Sequence, residues 1–573
     1  MEFYHAMMTT SRIVMILLSL TVIIRCLRSM LRERYDPEVW AYLRYGRETL
    51  PVTHWENILG RSRSSDIRLN QEGISRVHAV LTRSDRGVWT IYDIFSKGGV
   101  WVNGAKVGGN GVRVSDGDVI NLAGHCLRFL DTTQEKRERL EAARSTVGRR
   151  ISPSLTLLEL TVFQLFLLMQ HAFSVREEHL TVIALSFALL IILEWCCFNA
   201  MRIIGRTGFE VETLAFYLTT LGFSVAASST PGDMSKQILL TMAAVGLFLL
   251  NGWWLRNLRR TAAMRIPIAL AALALLGVNV VFSEAVLGAR NWLSFGGYSF
   301  QPSELVKVAY VYVGASTLDR LYRRRNLFSF IAFSAICVIA LALIGDFGTA
   351  LIFFVTFLVI SFMRSGSIAT VFLAISGAGL AGVLAVSVKP YIARRFATWG
   401  HVWEDMYDTG YQQASAMSAA ASGGLFGKGA GAGWLKDVFA ANTDMVFAMI
   451  CEELGLIIAL CMVMAVLTLA FFAVRSARHG RSAYYAIAAC ATVSMLLVQL
   501  ALNVFGSLDL LPFTGVTFPF VSRGGSSLLA CWMMMAFIKG ADNRRDASFA
   551  VRPGERIRSA PPPEESESEE DAE

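Results

Sequence analysis

The chain has 573 residues, of which 54% are hydrophobic and only 17% charged, and its formal net charge is +8. Soluble globular chains carry about 25% charged residues, so the composition excludes a soluble enzyme and points to a polytopic membrane protein. The basic excess then marks cytoplasmic loops and not a nucleic-acid surface. The nine cysteines lack paired metal spacing and mostly sit in apolar runs, which leaves neither a disulfide framework nor a zinc site.

The first element is the apolar run "SRIVMILLSLTVIIRCLRSMLRER", predicted as a transmembrane helix over 1–27. Arg25, Arg28, Arg32 and Arg34 follow the run, whereas a secretory signal carries its positive charge in front. The positive-inside rule therefore puts the N-terminus outside and residue 28 onward in the cytoplasm.

Residues 51–131 are polar and alternating, with "VWTIYDI", "GVWVNGAKV", "DGDVINL" and "CLRFL" separated by turns such as "SDRG" and "SKGG". Short alternating strands with regular turns predict a cytoplasmic β-sandwich. Residues 132–150 form a charged linker.

From 151 to 541 the chain consists of apolar runs, near 152–170, 180–199, 211–227, 236–254, 265–283, 304–319, 327–345, 347–363, 367–388, 444–474, 482–506 and 515–539. Most approach the roughly 20 residues that cross a bilayer. The loops "MRIIGR", "RNLRRTAAMR", "DRLYRRRN", "MRSG" and "VRSARHGR" all fall on one side when spans are counted from a cytoplasmic residue 150. The expected fold is a polytopic α-helical bundle of about 12 spans, preceded by one transmembrane helix and the β-sandwich. Residues 542–573, ending in "PPPEESESEEDAE", read as a disordered acidic tail in the cytoplasm.

The opposite side carries 284–302, the turn at Asp346 and the long loop 389–443. Long loops without regular structure are usually functional. Asp444 begins an apolar run there, and a carboxylate at a helix N-terminus is held as the anion; the plainer alternative is an N-cap. Cations outside are disfavoured in short loops, so Arg290, Lys307, Lys389, Arg394, Arg395, Lys428 and Lys436 invite a role in holding anionic groups. Lys307 lies one turn inside the membrane, three residues after Glu304, so the two either pair or serve a ligand. Asp346, in an apolar hairpin, is a functional candidate by default.

Two resemblances rest on motifs. "LGRSRSSDIRL", "ISRVHAVL" and "WTIYDIFSKGGVWVNG" resemble a forkhead-associated (FHA) domain, a phosphothreonine reader. That resemblance implies phosphopeptide contacts at Arg61, Ser75 and Arg76, with His78 supporting the loop, and a partner that is a phosphothreonine protein or a Ser/Thr kinase substrate. Such domains usually have Asn where this chain has Gly98, so Gly98→Asn is expected to tighten binding if the loop takes the usual course. The alternative is a sandwich that docks on a partner without phosphate.

"GARNWLSFGGYSFQPSELVK", "GDFGTA", "GYQQASAMSAAASGGLFGKGAG", "NTDMVFAMICEELG" and "LPFTGVTFPFVSRGGSSLL" occur in that order over 284–540. They resemble the SEDS family (shape, elongation, division and sporulation). This implies a bacterial plasma-membrane glycosyltransferase that polymerises lipid II into glycan strands, beside a class B penicillin-binding protein. Asp444 would be catalytic, with Lys307, Glu304, Gln301, Arg290, Arg394, Lys428 and Asp346 binding substrate. No metal ligand set is implied, and the need for a divalent cation stays open. Departures from the family pattern include Asn291, Ile344-Gly345, Phe439-Ala440, Asn442 and Arg523. A lipid II flippase and a non-catalytic phosphothreonine-sensing scaffold are the alternatives.

Overall fold

The computed structural model describes residues 2–32, 38–62, 65–84, 87–108, 110–132, 151–286, 289–295, 298–319, 324–365, 368–388, 390–544 and 546–550. It divides into two units, one of residues 1–33 and 148–550, the other of 34–147 with 551–573. The linker expected over 132–150 lies, from residue 133 on, outside the described residues.

The smaller unit is a sandwich of two sheets. One orders the strands Glu48–Val52, Ala41–Tyr45, His125–Asp131, Val119–Leu122, Val100–Val102 and Ala105–Lys106. The other orders Ile67–Arg68, Glu56–Gly60, Ala79–Arg83, Trp89–Asp93 and Val112–Val114. Alternation drives both: Leu127 and Phe129 are fully buried while Arg128 between them is exposed. Trp89 meets Phe129 edge-on at 5.6 Å in the core between the sheets. The sandwich begins at Ala41, not at 51. The hairpin at 41–52 was hidden by its arginines and by Pro51, yet Ala41 and Leu43 point inward and the strand pairs with 128–131.

The larger unit is helical: α1 (Glu2–Arg32), α2 (Pro153–Ser174), α3 (Glu177–Ile203), α4 (Glu210–Ser229), α5 (Met234–Leu255), α6 (Leu258–Ala263) and α7 (Arg265–Phe282). Three short strands follow, Glu284–Val286, Ala289–Phe295 and Tyr298–Phe300. Then come α8 (Pro302–Asp319), α9 (Arg324–Ile344), α10 (Phe347–Ser365), α11 (Ile368–Val388), α12 (Pro390–Thr398), α13 (Tyr411–Gly423), α14 (Ala441–Asp444), α15 (Val446–Leu454), α16 (Leu456–Arg478), α17 (Ala483–Ser507) and α18 (Gly525–Gly540). Among the described residues eight helices are long and apolar enough to cross a membrane, α1 included, and three shorter apolar ones accompany them. The chain is a multi-pass membrane protein. Its centre is α4, buried from end to end, with Trp532 of α18 packed on Phe216 at 4.8 Å and on Phe248 at 5.8 Å.

Three expectations change. The run 444–474 is not one span: Gly455, at φ +92°, separates α15 from α16. The run 515–539 becomes helical only at Gly525, because Gly515 at φ +69° and Pro519 hold the preceding segment irregular. The polar stretch read as the start of a tail at 542 is packed through Ala550: Arg544 pairs with Asp542 and Glu210, both at 2.7 Å, and Phe549 packs against Phe248 at 5.2 Å with the rings tilted by 50°. Its charges are satisfied inside the unit, so polarity alone misreads it. Residues 551–573 lie outside the described residues.

Candidate functional site

The N-terminal end of α8, the N-terminus of α10, the 511–517 segment and Asp444 come together. Glu304 and Lys307, one turn apart, are both buried and pair at 2.8 Å. Gln301, just before α8, donates from Nε2 to Asp346 Oδ2 at 3.3 Å. Asp346 caps α10, its Oδ1 accepting the Thr349 backbone N–H at 3.0 Å. Burial raises the Asp346 carboxyl above the usual carboxylate range, against the pull of the Thr349 hydrogen bonds and the Lys307 charge.

A Cβ at Gly348, in the first turn of α10, would overlap Val516, and one at Gly515 would stand 3.1 Å from Asp444 Oδ2. The irregular 511–517 segment is thus the wall between Asp346 and Asp444. Asn503, deep in α17, fixes this wall. Its Nδ2 donates to the Asp444 carbonyl at 3.0 Å and the Val516 carbonyl at 2.8 Å.

Asp444 does not begin a long helix. It is the last residue of the single turn α14, and Met445 separates it from α15. The helix-dipole expectation of a readily held anion therefore fails. Burial pushes its carboxyl up to about 6, against the Thr443 hydroxyl and the Arg395 charge, while Asp346 adds repulsion. Arg395, on α12, donates to the Phe513 carbonyl at 3.2 Å. Both it and the neighbouring Arg394 are exposed, but Arg395 is the cation whose charge reaches Asp444.

Lys428 belongs to a different constellation. Its Nζ meets Glu452 at 2.8 Å, and the buried Glu452 carboxylate also accepts the backbone N–H groups of Trp434 and Leu435. The Arg290 side chain lies outside the described residues. The unusual residues around Asp444 are each tied down: Ala440 adopts φ +58°, Asn442 donates to Ser229 Oγ at 3.1 Å, and Arg523 donates its backbone N–H to the Asn442 carbonyl at 2.8 Å while its guanidinium pairs with Asp233.

At one end of the sandwich, Arg61, Ser75 and Arg76 come from neighbouring loops. Arg61 N donates to the Ser75 carbonyl and Ser62 N to that of Arg76, both at 3.0 Å, leaving the two arginine side chains exposed. The Ser75 hydroxyl accepts the Lys97 N–H at 3.1 Å and keeps its own proton to donate. His78 Nδ1 accepts the Ser75 N–H at 3.0 Å, and its Nε2 lies 2.9 Å from the Gly99 carbonyl, which joins the two loops. A Cβ at Gly98 would overlap that of Ala123, so an asparagine there requires the 98 or 123 loop to shift.

Sequence reasoning missed Asn503, Ala123 and the Asp233–Arg523 pair. Arg395 stands among the outward cations of the sequence, with nothing there to tie it to Asp444 in particular. Asn503 offered only its polarity inside an apolar run.

Residues 223–546 match the family model FTSW_RODA_SPOVE, described as cell cycle protein, and residues 57–123 match that of the FHA domain. A probable peptidoglycan glycosyltransferase FtsW of Tolumonas auensis is 30% identical over 59% of this chain and 93% of its own length. The stage V sporulation protein E of Bacillus subtilis is 32% identical over 52% and 83% respectively. Among solved structures, the rod shape determining protein RodA of Thermus thermophilus superposes with a TM-score of 0.42 at 24% identity, over 58% of this chain and 94% of its own. With more than half of its length in that match, the chain belongs to the FtsW/RodA/SpoVE family of cell cycle proteins.

Proposed function

We propose that the chain is an inverting peptidoglycan glycosyltransferase that polymerises lipid II at the outer face of the plasma membrane. Asp444 takes the proton from the acceptor sugar hydroxyl. The hydroxyl oxygen attacks the anomeric carbon of the donor, and the bond to undecaprenyl diphosphate breaks with its electron pair leaving on the diphosphate. Lys307 and Arg395 supply positive charge near the leaving group, and Gln301, Glu304 and Asp346 hold that charge in place. Arg290, Arg394 and Lys428 are assigned to the lipid-linked substrates as outward cations of the sequence. A class B penicillin-binding protein is the cross-linking partner.

The observation that carries this reading is a half-buried Asp444 with a carboxyl pushed up to about 6, in one site with a cation and a second carboxylate. A base of that strength is well matched to proton abstraction near neutral pH. Family membership supports the same chemistry. The test is purified protein with labelled lipid II: glycan strands are the expected product, and translocation of lipid II without polymer would favour a flippase.

The β-sandwich, on the cytoplasmic side, binds phosphothreonine through Arg61, Ser75 and Arg76. Two exposed guanidinium groups and a hydroxyl at one end suit a phosphate. Loss of binding in Arg61→Ala, measured with phosphothreonine peptides on the full chain, is the corresponding test.

A further inference from the structure

We propose that Arg12, on the N-terminal helix, is a positioning residue for polymerisation. It clamps the glycine-rich loop that caps the helix leading from Asp444. The inference rests on the glycosyltransferase reading of Asp444.

The loop 423–433 lies directly on the backbone at the C-terminal end of α15. A Cβ at Gly423 would overlap the Cys451 carbonyl, one at Gly427 that of Glu453, and one at Gly455 that of Leu425. Only glycine allows an approach this close. The loop uses it to cap the helix: Lys428 N donates to the Glu452 carbonyl at 2.9 Å and Gly429 N to the Glu453 carbonyl at 2.8 Å. The other end of α15 is Val446, two residues from Asp444. A shift of the cap therefore moves the rod to which the catalytic segment is attached.

In this capping loop, with φ values of +75° at Gly427 and +117° at Gly429, the carbonyls of Gly423, Gly424 and Gly429 accept backbone N–H groups of Gly427, Leu456 and Ala432, whereas those of Gly427, Lys428 and Ala430 are met by side chains. Those side chains come from outside the matched 223–546 region. Arg12 donates to the Gly427 carbonyl at 2.9 Å and also to the Lys428 carbonyl. Gln170 of α2 accepts the Ala430 N–H at 3.0 Å and donates to Ser11 of α1 at 3.0 Å. Ser174 donates to the Ala430 carbonyl at 2.6 Å. A guanidinium presents several N–H donors in a fixed fork, so one side chain can hold two adjacent carbonyls.

The same helix is fastened along its length. Ser19 bonds Tyr217, Arg25 pairs with Glu159 at 3.2 Å, and Ser29 donates to Glu210 at 2.6 Å. It ends at Arg32, and the first strand of the sandwich begins at Ala41. The helix that holds the loop by hydrogen bonds is thus joined through the chain to the β-domain. An arginine that merely anchors the helix at the membrane surface would not need two loop carbonyls.

The test is steady-state polymerisation of lipid II by full-length Arg12→Ala, Arg12→Gln and Arg12→Lys, with Arg25→Ala as a control at the other end of α1. Misplacement of a catalytic group by about 1 Å can cost about 100-fold. The expected result is a fall in kcat of about 10–100-fold in the Ala and Gln variants, with KM and thermal midpoint near wild type. Arg12→Lys should recover part of the loss, and Arg25→Ala should keep near wild-type kcat. Hydrogen exchange at Lys428 and Gly429 should speed up in Arg12→Gln.

Wild-type kcat in Arg12→Ala or Arg12→Gln overturns the proposal. So does a loss of kcat that follows the thermal midpoint in all three variants, or unchanged exchange in the loop. If Arg12→Ala does not fold, the Gln and Lys variants are judged by the same criteria. Asp444→Asn is assayed in parallel: activity in that variant would remove the base assignment, whatever Arg12 does.

Discussion

Asn503 holds Asp444 by its backbone and not by its carboxylate: the amide Nδ2 donates to the Asp444 carbonyl at 3.0 Å and spans to Val516 at 2.8 Å. The Asp444 backbone is thereby fixed from behind, by a contact that does not use the carboxylate proposed as the base. Asn503→Ala and Asn503→Asp both lose the shared donor. Each should lower kcat about 10–100-fold with little change in KM for lipid II. Steady-state kinetics decides it, and an unchanged kcat in Asn503→Ala would remove this role.

Asp444→Asn should abolish polymerisation, a loss of at least about 10²–10⁴-fold. With the carboxyl pushed up to about 6, kcat/KM of the wild type should rise with pH through that value and level off above it. The stability effect has the opposite sign. A folded-state value above the ordinary 3.8 means that the fold favours the protonated form, so this group's contribution falls as pH rises from about 3.8 to about 6. Asp444→Asn should therefore melt at or above the wild-type temperature at pH 7. A melting temperature well below wild type would show that the carboxylate serves the fold instead.

Charge and periodicity made the membrane helices, the sandwich and the residues Glu304, Lys307, Asp346 and Asp444 legible in the sequence, because ionisable groups at the ends of apolar runs stand out, while Gln301 came only from the family resemblance. The motifs then ordered them. What stayed hidden depends on tertiary contact. Asn503 looks like any tolerated polar residue in a helix, and only the fold brings it to Asp444. The break at Gly455 lies inside a continuous apolar run, and its φ of +92° is imposed by the loop packed against it. Arg12 reads as an interfacial arginine until the loop 427–428 is seen beside it. The segment 542–550 is polar because its charges pair with one another and with Glu210, not because it is solvated.

Lys307→Ala should lose more activity than Lys428→Ala. Removing Lys307 strands the buried Glu304 without its ion-pair partner, in the same site as Asp346. Removing Lys428 leaves the Glu452 carboxylate with two backbone N–H donors, from Trp434 and Leu435. Lipid II binding and turnover of the two variants provide the comparison. Equal activity would make the Glu304–Lys307 pair a purely structural feature.

The last prediction concerns the β-sandwich. An asparagine at 98 would be the usual ligand contact in an FHA domain, yet here it meets Ala123, whose own φ of +51° places its Cβ against the 98 position. Gly98→Asn alone should therefore lower the thermal midpoint and weaken phosphothreonine binding. Ala123→Gly should be neutral or slightly stabilising, since a residue at positive φ is relieved by glycine. Combining the two removes the obstructing Cβ and leaves the Ala123 Cα position and the Gly73 carbonyl, at 3.0 and 3.2 Å from the new Cβ, as contacts that small shifts can relieve. The double variant should then bind phosphothreonine peptides more tightly than the wild type, while Arg61→Ala loses about 1.5–3 kcal/mol of binding in either background. Titration of the full chain with phosphorylated and unphosphorylated peptides, alongside thermal melts, separates the effects. Tighter binding by Gly98→Asn alone, at unchanged stability, would contradict the steric argument; no binding by any variant would leave the sandwich as a docking surface without a phosphate.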